Sequence, residues 1–188
     1  MTYVNVSIPK VKTGAGAPKP KEPNVLMILA ADVETMPARD GVVSTGDITL
    51  KAGKKAVAIY VTPKSINRFD SSDGETSREM GGFLSNFVCE RPGDDEFFAG
   101  WLQEYLNEGF LILSKECGDQ KGTRLQGTPC NPLYMTVEGQ DNEEGIMSTL
   151  TFVSSQRSAH KMTHYRGTLP PVYEGPVIGG ASGSGSGI

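Results

Sequence analysis

GGFLSNFVCERPGDDEFFAGWLQEYLNEGFLILSKEC, residues 81–117, contains in order a strand, a capped helix and a second strand, and its reading decides the fold class. In the first part Phe83, Ser85, Phe87 and Cys89 alternate with Leu84, Asn86 and Val88, the period-two pattern of a strand. Pro92 and Gly93 end it, because proline lacks a ladder donor and glycine resists an extended run. Asp94 then caps a helix over about residues 94–108, with Asp95 and Glu96 in the first turn, where the helix dipole favours negative charge. Phe97, Trp101 and Tyr105 recur every fourth residue, and Phe98, Leu102 and Leu106 repeat that spacing beside them. Together they predict one broad apolar stripe, read first as core packing and second as a partner-binding face. Asn107 and Gly109 supply the stop, and FLILSKEC is a strong strand.

Upstream, NVLMILAADV from Asn24 is apolar and unbroken, as expected of a strand buried on both faces, with a short helix as the alternative. PARDG (37–41) is a turn. GDITL and KKAVAIYVTP predict two strands joined by a Lys51–Lys54 turn around Gly53, with Val57, Ile59 and Val61 on one face. Residues 64–80 are polar and turn-rich, so a long loop is expected there. Downstream, PLYMTVEG and IMSTLTFVSS predict an antiparallel hairpin with the acidic segment GQDNEEG as a longish loop.

The two ends differ in composition from the middle. Tyr3, Val4, Val6 and Ile8 suggest a short strand or extended arm, and KVKTGAGAPKPKEP (10–23) is too rich in Gly and Pro for a central strand. The C-terminal GGASGSGSGI has flexible-linker composition. These shifts divide the chain into an arm over 1–23, a β domain over 24–167 and a Pro/Gly/Ser-rich extension over 168–188. The expected class is mainly β: a β-sandwich or barrel with one flanking amphipathic helix, and about seven strands.

Chemistry-bearing motifs are few. The net charge of −4 and pI near 5.3 argue against a broad basic nucleic-acid surface. No run of about 18 apolar residues predicts a membrane span, and MTYVNVSIPKVK lacks the apolar core of a secretory signal. Cys89, Cys117 and Cys130 are odd in number and irregularly spaced, which points away from a disulfide framework or zinc site and fits a reducing compartment. His160 and His164 stand four apart without the glutamate of a metalloprotease helix, so surface or packing roles are expected. FDSSDGE and EGQDNEEG lack calcium-loop spacing and read as solvated tips. Gly14-Ala15-Gly16 opens no helix, so no phosphate loop is expected. The expectation is a non-enzyme with no catalytic, cofactor or metal site.

The order of parts resembles the major tail tube proteins of long-tailed bacteriophages: an extended N-terminal segment, strands, a polar loop, the strand GGFLSNFVCERPG, the helix DDEFFAGWLQEYLNEGF and a closing hairpin. The resemblance is architectural and covers roughly residues 24–155. It implies a β-sandwich or barrel with one helix, assembling as hexameric rings that stack into a tube. The implied partners are copies of the same chain, other tail proteins and double-stranded DNA passing without specific binding, with no membrane. The implied location is the virion, after assembly in the host cytoplasm. Two other readings share parts of this pattern: another virion component (head–tail joining, tail terminator or head decoration), and a β-sandwich carbohydrate-binding module.

Overall fold

The structure is a computed structural model, and it describes Ser7 and residues 17–72, 81–143 and 145–175, without the side chains of 119–121. The first strands are β1 (Asn24–Leu29), β2 (Val33–Thr35), β3 (Arg39–Asp40), β4 (Val43–Ser44), β5 (Thr49–Leu50), β6 (Val57–Tyr60) and β7 (Asn67–Ser71). Then come β8 (Leu84–Pro92), the helix α1 (Glu96–Tyr105), β9 (Gly109–Glu116) and β10 (Asp119–Gln126). The chain ends in the long pair β11 (Leu133–Asn142) and β12 (Gly145–Ser154), followed by β13 (Thr163–Tyr165). Among the described residues the fold is mainly β, with one α-helix beside a large mixed sheet.

The sheet forks at β9. One edge of β9 pairs with β1, which pairs in turn with β6. The other edge is shared: Ile112, Leu113 and Ser114 pair with β10, whereas Gly109 and Phe110 pair with β11. Gly127 sits at this fork with φ of 85°, and a Cβ there would lie 2.7 Å from a Leu133 methyl. Only glycine fits that turn without moving Leu133. From the fork one branch runs β10–β13–β4–β3 and the other β11–β12–β8–β7. The second branch curls back until the Thr62 N–H, just past β6, donates to the Glu90 carbonyl of β8 at 2.8 Å. Following β6–β1–β9–β11–β12–β8 therefore returns to its start, and the enclosed space is a barrel core.

Alternation along β1 and β9 fills two cores at once. Val25, Met27, Phe110 and Ile112 point into the barrel with Phe87, Leu150 and Phe152. Leu26, Ile28, Leu111 and Leu113 point the other way, against Ile48, Leu125 and Tyr165. This is the two-sided burial that the unbroken run NVLMIL predicts. Phe110 and Phe152 meet edge to face at 5.8 Å, and each fully buried phenyl ring contributes roughly 1.5–3 kcal/mol over an exposed one.

The helix closes the barrel beside β11. Its N-cap is Asp95, one residue later than predicted, whose carboxylate accepts the Phe98 N–H at 2.9 Å. Phe98 is buried, and Trp101, Leu102 and Tyr105 pack partly buried on the barrel core. The stripe is narrower than its spacing suggested: Phe97 is 70% exposed and Leu106 44% exposed. Ten residues of helix turn only one flank toward the sheet, so the outer members of a broad stripe face outward.

Other expectations are corrected by hydrogen bonds that periodicity does not register. Strands among the described residues number thirteen rather than seven: two- and three-residue strands form where turn clusters meet β10 or each other, β7 forms in the expected loop, and β10 (Asp119–Gln126) forms in GDQKGTRLQGTPCNP, a stretch whose composition reads as a turn-rich connection. The expected loop 64–80 contains the strand β7, paired from Asn67 to Ser71 with β8; residues 73–80 lie outside the described residues. Of the acidic segment 139–145, expected as a loop, residues 139–142 and Gly145 are ladder, since pairing continues to Asn142↔Gly145. At the ends, the Cys117 N–H donates to the Pro20 carbonyl and the Glu22 N–H to the Lys115 carbonyl, so residues 20–22 extend the sheet. Ala56 exchanges two backbone hydrogen bonds with Pro171 and Tyr173, holding Val172 against the second core. Most of the arm (1–6 and 8–16) and residues 176–188 lie outside the described residues.

Candidate assembly surfaces

The β11–β12 hairpin outruns its own sheet. Its strands stay in register over ten pairs, from Leu133↔Ser154 to Asn142↔Gly145. Yet β9 covers β11 only at Leu133 and Tyr134, and β8 covers β12 only from Met147 onward. A two-residue tip makes Asn142↔Gly145 a hydrogen-bonded pair, so even-numbered residues of β11 bond to β12. The backbone N–H and C=O groups of Met135, Val137, Gly139 and Asp141 therefore point to the opposite edge. Among the described residues, no strand and no other backbone group pairs with that edge.

A second open edge lies at the far side of the same four strands. In the β7–β8 ladder the alternation assigns Asn67, Phe69 and Ser71 to pairing with β8, leaving the backbones of Arg68 and Asp70 outward. No described strand pairs there either. The side chains of Arg68 and Asp70 turn inward. Arg68 donates to a Glu116 carboxylate oxygen at 2.6 Å, and to the Ser114 hydroxyl and carbonyl. Burial, then repulsion from Arg124, pulls the Arg68 guanidinium below its ordinary pKa, while Glu116 opposes that shift. Lys19 reaches the other Glu116 oxygen at 3.3 Å. Gly122 passes so close that a Cβ would lie 2.6 Å from Glu116. Asp70 accepts the Met162 N–H and the Ser85 hydroxyl, each at 2.9 Å.

The outward face of β11–β12–β8–β7 mixes hydroxyls, amides and acids with the apolar side chains of Phe69, Val88, Met147 and Val153 and the ring of Tyr134. Cross-strand pairing lines up Thr136 with Thr151, Glu138 with Thr149, and Thr149 with Glu90. No Lys or Arg belongs to that face, because Arg68 and Arg91 both stand on the inner one. Arg91 instead covers the Phe98 ring at 4.1 Å and pairs with Asp95. Those contacts, with the Phe98 N–H, hold the Asp95 carboxyl below the usual range.

Where α1 meets the hairpin arm an open groove of about 400 Å³ remains. Its walls are apolar at Leu102, Val137, Ile146 and Met147, with Asp94 and Asp141 at the rim. Ile146 is 46% exposed and Met147 38% exposed. Neither the free edges nor this groove was legible as a site, since an alternating strand pattern does not say whether a neighbour covers its edge.

The residues weighed for chemistry lie apart. His164 sits on β13 opposite Arg124, and burial followed by the charges of Arg124 and Arg166 pushes its pKa down. His160 is an exposed loop residue, and its N–H donates to the Ser158 hydroxyl. Cys89 is buried in the barrel with its thiol pushed up to about 12, while Cys117 and Cys130 are exposed. Among the described residues no three His, Cys, Asp or Glu side chains gather as a metal site. No helix among the described residues is long and apolar enough to cross a membrane. No family model, curated protein or solved structure matches this chain.

Proposed function

We propose that the chain is a self-assembling structural subunit of the tail-tube kind, whose copies join edge to edge into rings that stack around a channel. The observation that carries this reading is the pair of open edges on one four-stranded unit. Uncovered edges invite pairing, and a lone folded protein normally blunts them. Here β11 and β7 run in opposite directions, because β11, β12, β8 and β7 alternate strand by strand. The β7 edge of one copy thus meets the β11 edge of the next as an antiparallel pair. Repetition closes a continuous barrel with no edge left.

The base-free outward face supports the same assignment. In such a ring it lines the channel, where Glu90, Glu138 and neighbouring threonines present no cation to a passing polyanion. Six copies of four strands would give about 24 strands, and barrels of 16–18 already hold an aqueous channel. DNA would then pass through unbound rather than be gripped.

The test is the state of the purified chain. Light scattering and negative-stain microscopy should reveal rings or tubes with a central channel. A monodisperse monomer at high concentration would overturn the proposal, as would tight, salt-sensitive binding of duplex DNA.

A further inference from the structure

We infer that the groove between α1 and the β11–β12 arm receives the N-terminal segment of the next copy along the stack, residues Tyr3–Lys12. This rests on the assembly reading above and names the contact that joins one ring to the next. The groove is lined by Leu102, Val137, Ile146 and Met147, with Asp94 and Asp141 at its rim. The segment TYVNVSIPKVK matches it in both respects. Val4, Val6 and Ile8 alternate as one apolar face of an extended chain, and Lys10 and Lys12 follow. The sequence holds no acidic residue before Glu22.

Chain geometry decides between a copy's own segment and a neighbour's. The described chain joins the sheet at Pro20–Glu22, against Lys115, Glu116 and Cys117 at the C-terminal end of β9. The groove lies at the opposite end, because β11 passes Gly109 at Tyr134 and runs on to Asn142. Seven steps along β9 and about five along β11 separate the two places by ~40 Å. Reaching that far uses about 12 residues at full extension. Lys12 stands only eight residues before Pro20, at most ~28 Å away at full extension, so the run Tyr3–Lys12 falls short of its own copy's groove. In a head-to-tail stack the segment emerges beside the hairpin end of the following copy, and the whole run Tyr3–Lys12 is free to lie in it.

Disulfide trapping tests this in the assembled full-length protein. Val6→Cys and Gln103→Cys are combined with Cys117→Ser and Cys130→Ser, since Gln103 lines the groove and Cys89 is buried. Mild oxidation should give a non-reducing gel ladder that continues beyond the copy number of one ring. A ladder stopping at that number would put the segment on a lateral neighbour and overturn the inference. So would an internally bridged monomer, or no cross-link at all. Independently, deleting residues 2–16 should leave single rings in the microscope; unchanged tubes would overturn it while leaving the ring reading intact. A full-length chain that stays monomeric removes the assembly reading and this contact together. Should the deletion variant fail to fold, the cross-linking result alone decides.

Discussion

Replacing Gly139 by proline separates folding from assembly at a single atom. Gly139 lies on β11 beyond the reach of β9, and ladder alternation turns its N–H to the open edge. A Cβ built there meets nothing within 4 Å, and its φ is not in the left-handed range. Proline at this place removes no bond of the isolated subunit, and it stiffens the unfolded chain. The free energy of unfolding should therefore move by less than about 1 kcal/mol. Between copies the same change removes one hydrogen bond, about 0.5–1.5 kcal/mol, and strands an acceptor on the neighbouring β7, about 1–3 kcal/mol more. At 1.4 kcal/mol per tenfold, a loss of about 1.5–4.5 kcal/mol weakens each lateral contact roughly 10- to 1,600-fold, repeated at every contact around a ring. Thr149→Pro is the matched control. Its N–H is bonded to β11 opposite Glu138, so proline should destabilise the subunit itself by about 3 kcal/mol or more. Urea unfolding measures the first quantity, and light scattering with microscopy measures the second. Gly139→Pro protein that assembles at wild-type concentration would refute edge pairing through β11. A Gly139→Pro subunit as unstable as Thr149→Pro would refute the assignment of the outward amide.

The helix yields a paired prediction: Trp101→Ala should cost about 3 kcal/mol, the low end for a core aromatic because Trp101 is only partly buried. Phe97→Ala should stay within about 0.5 kcal/mol, and both are read by urea denaturation of the isolated subunit. Asp95 has a folded-state pKa below its unfolded value near 3.9, so its charge stabilises fully above about pH 4. That contribution disappears as pH falls through the folded value. Asp95→Asn keeps a capping oxygen but loses the Arg91 pair, so the stability gap between the two proteins should narrow in acid; a gap constant down to pH 2 would contradict the assignment. For the thiols, burial of Cys89 and its pKa of about 12 leave almost no thiolate near neutrality. A thiol reagent should titrate two cysteines in native protein and three after unfolding.

What the sequence made legible follows from what a local pattern can carry. NVLMIL declared burial on both faces because a strand between two cores has no polar face to show. The helix was legible from its charged first turn and fourfold aromatics, although the choice of Asp95 over Asp94 as cap depended on which carboxylate reaches the Phe98 N–H. Illegible were the contacts whose specificity lies in the backbone. Asn67–Ser71 reads as polar loop because its outward residues are Asn67, Phe69 and Ser71, and its inward ones are Arg68 and Asp70, which stay half-buried because Glu116, Ser85 and Met162 satisfy them. A strand whose inward face is charged has no hydrophobic period to detect. The acidic hairpin tip misled for the related reason that β11 past Val137 has no core to face, so its composition is that of a loop while its pairing is that of a strand. Ten residue pairs are a costly way to hold a loop in solvent, since each residue ordered loses roughly 1–2 kcal/mol of backbone freedom. In the proposed assembly a second subunit lying along Met135–Asp141 would give those ordered residues something to bind. The same segment that defeats sequence reading is the one on which the assembly proposal stands.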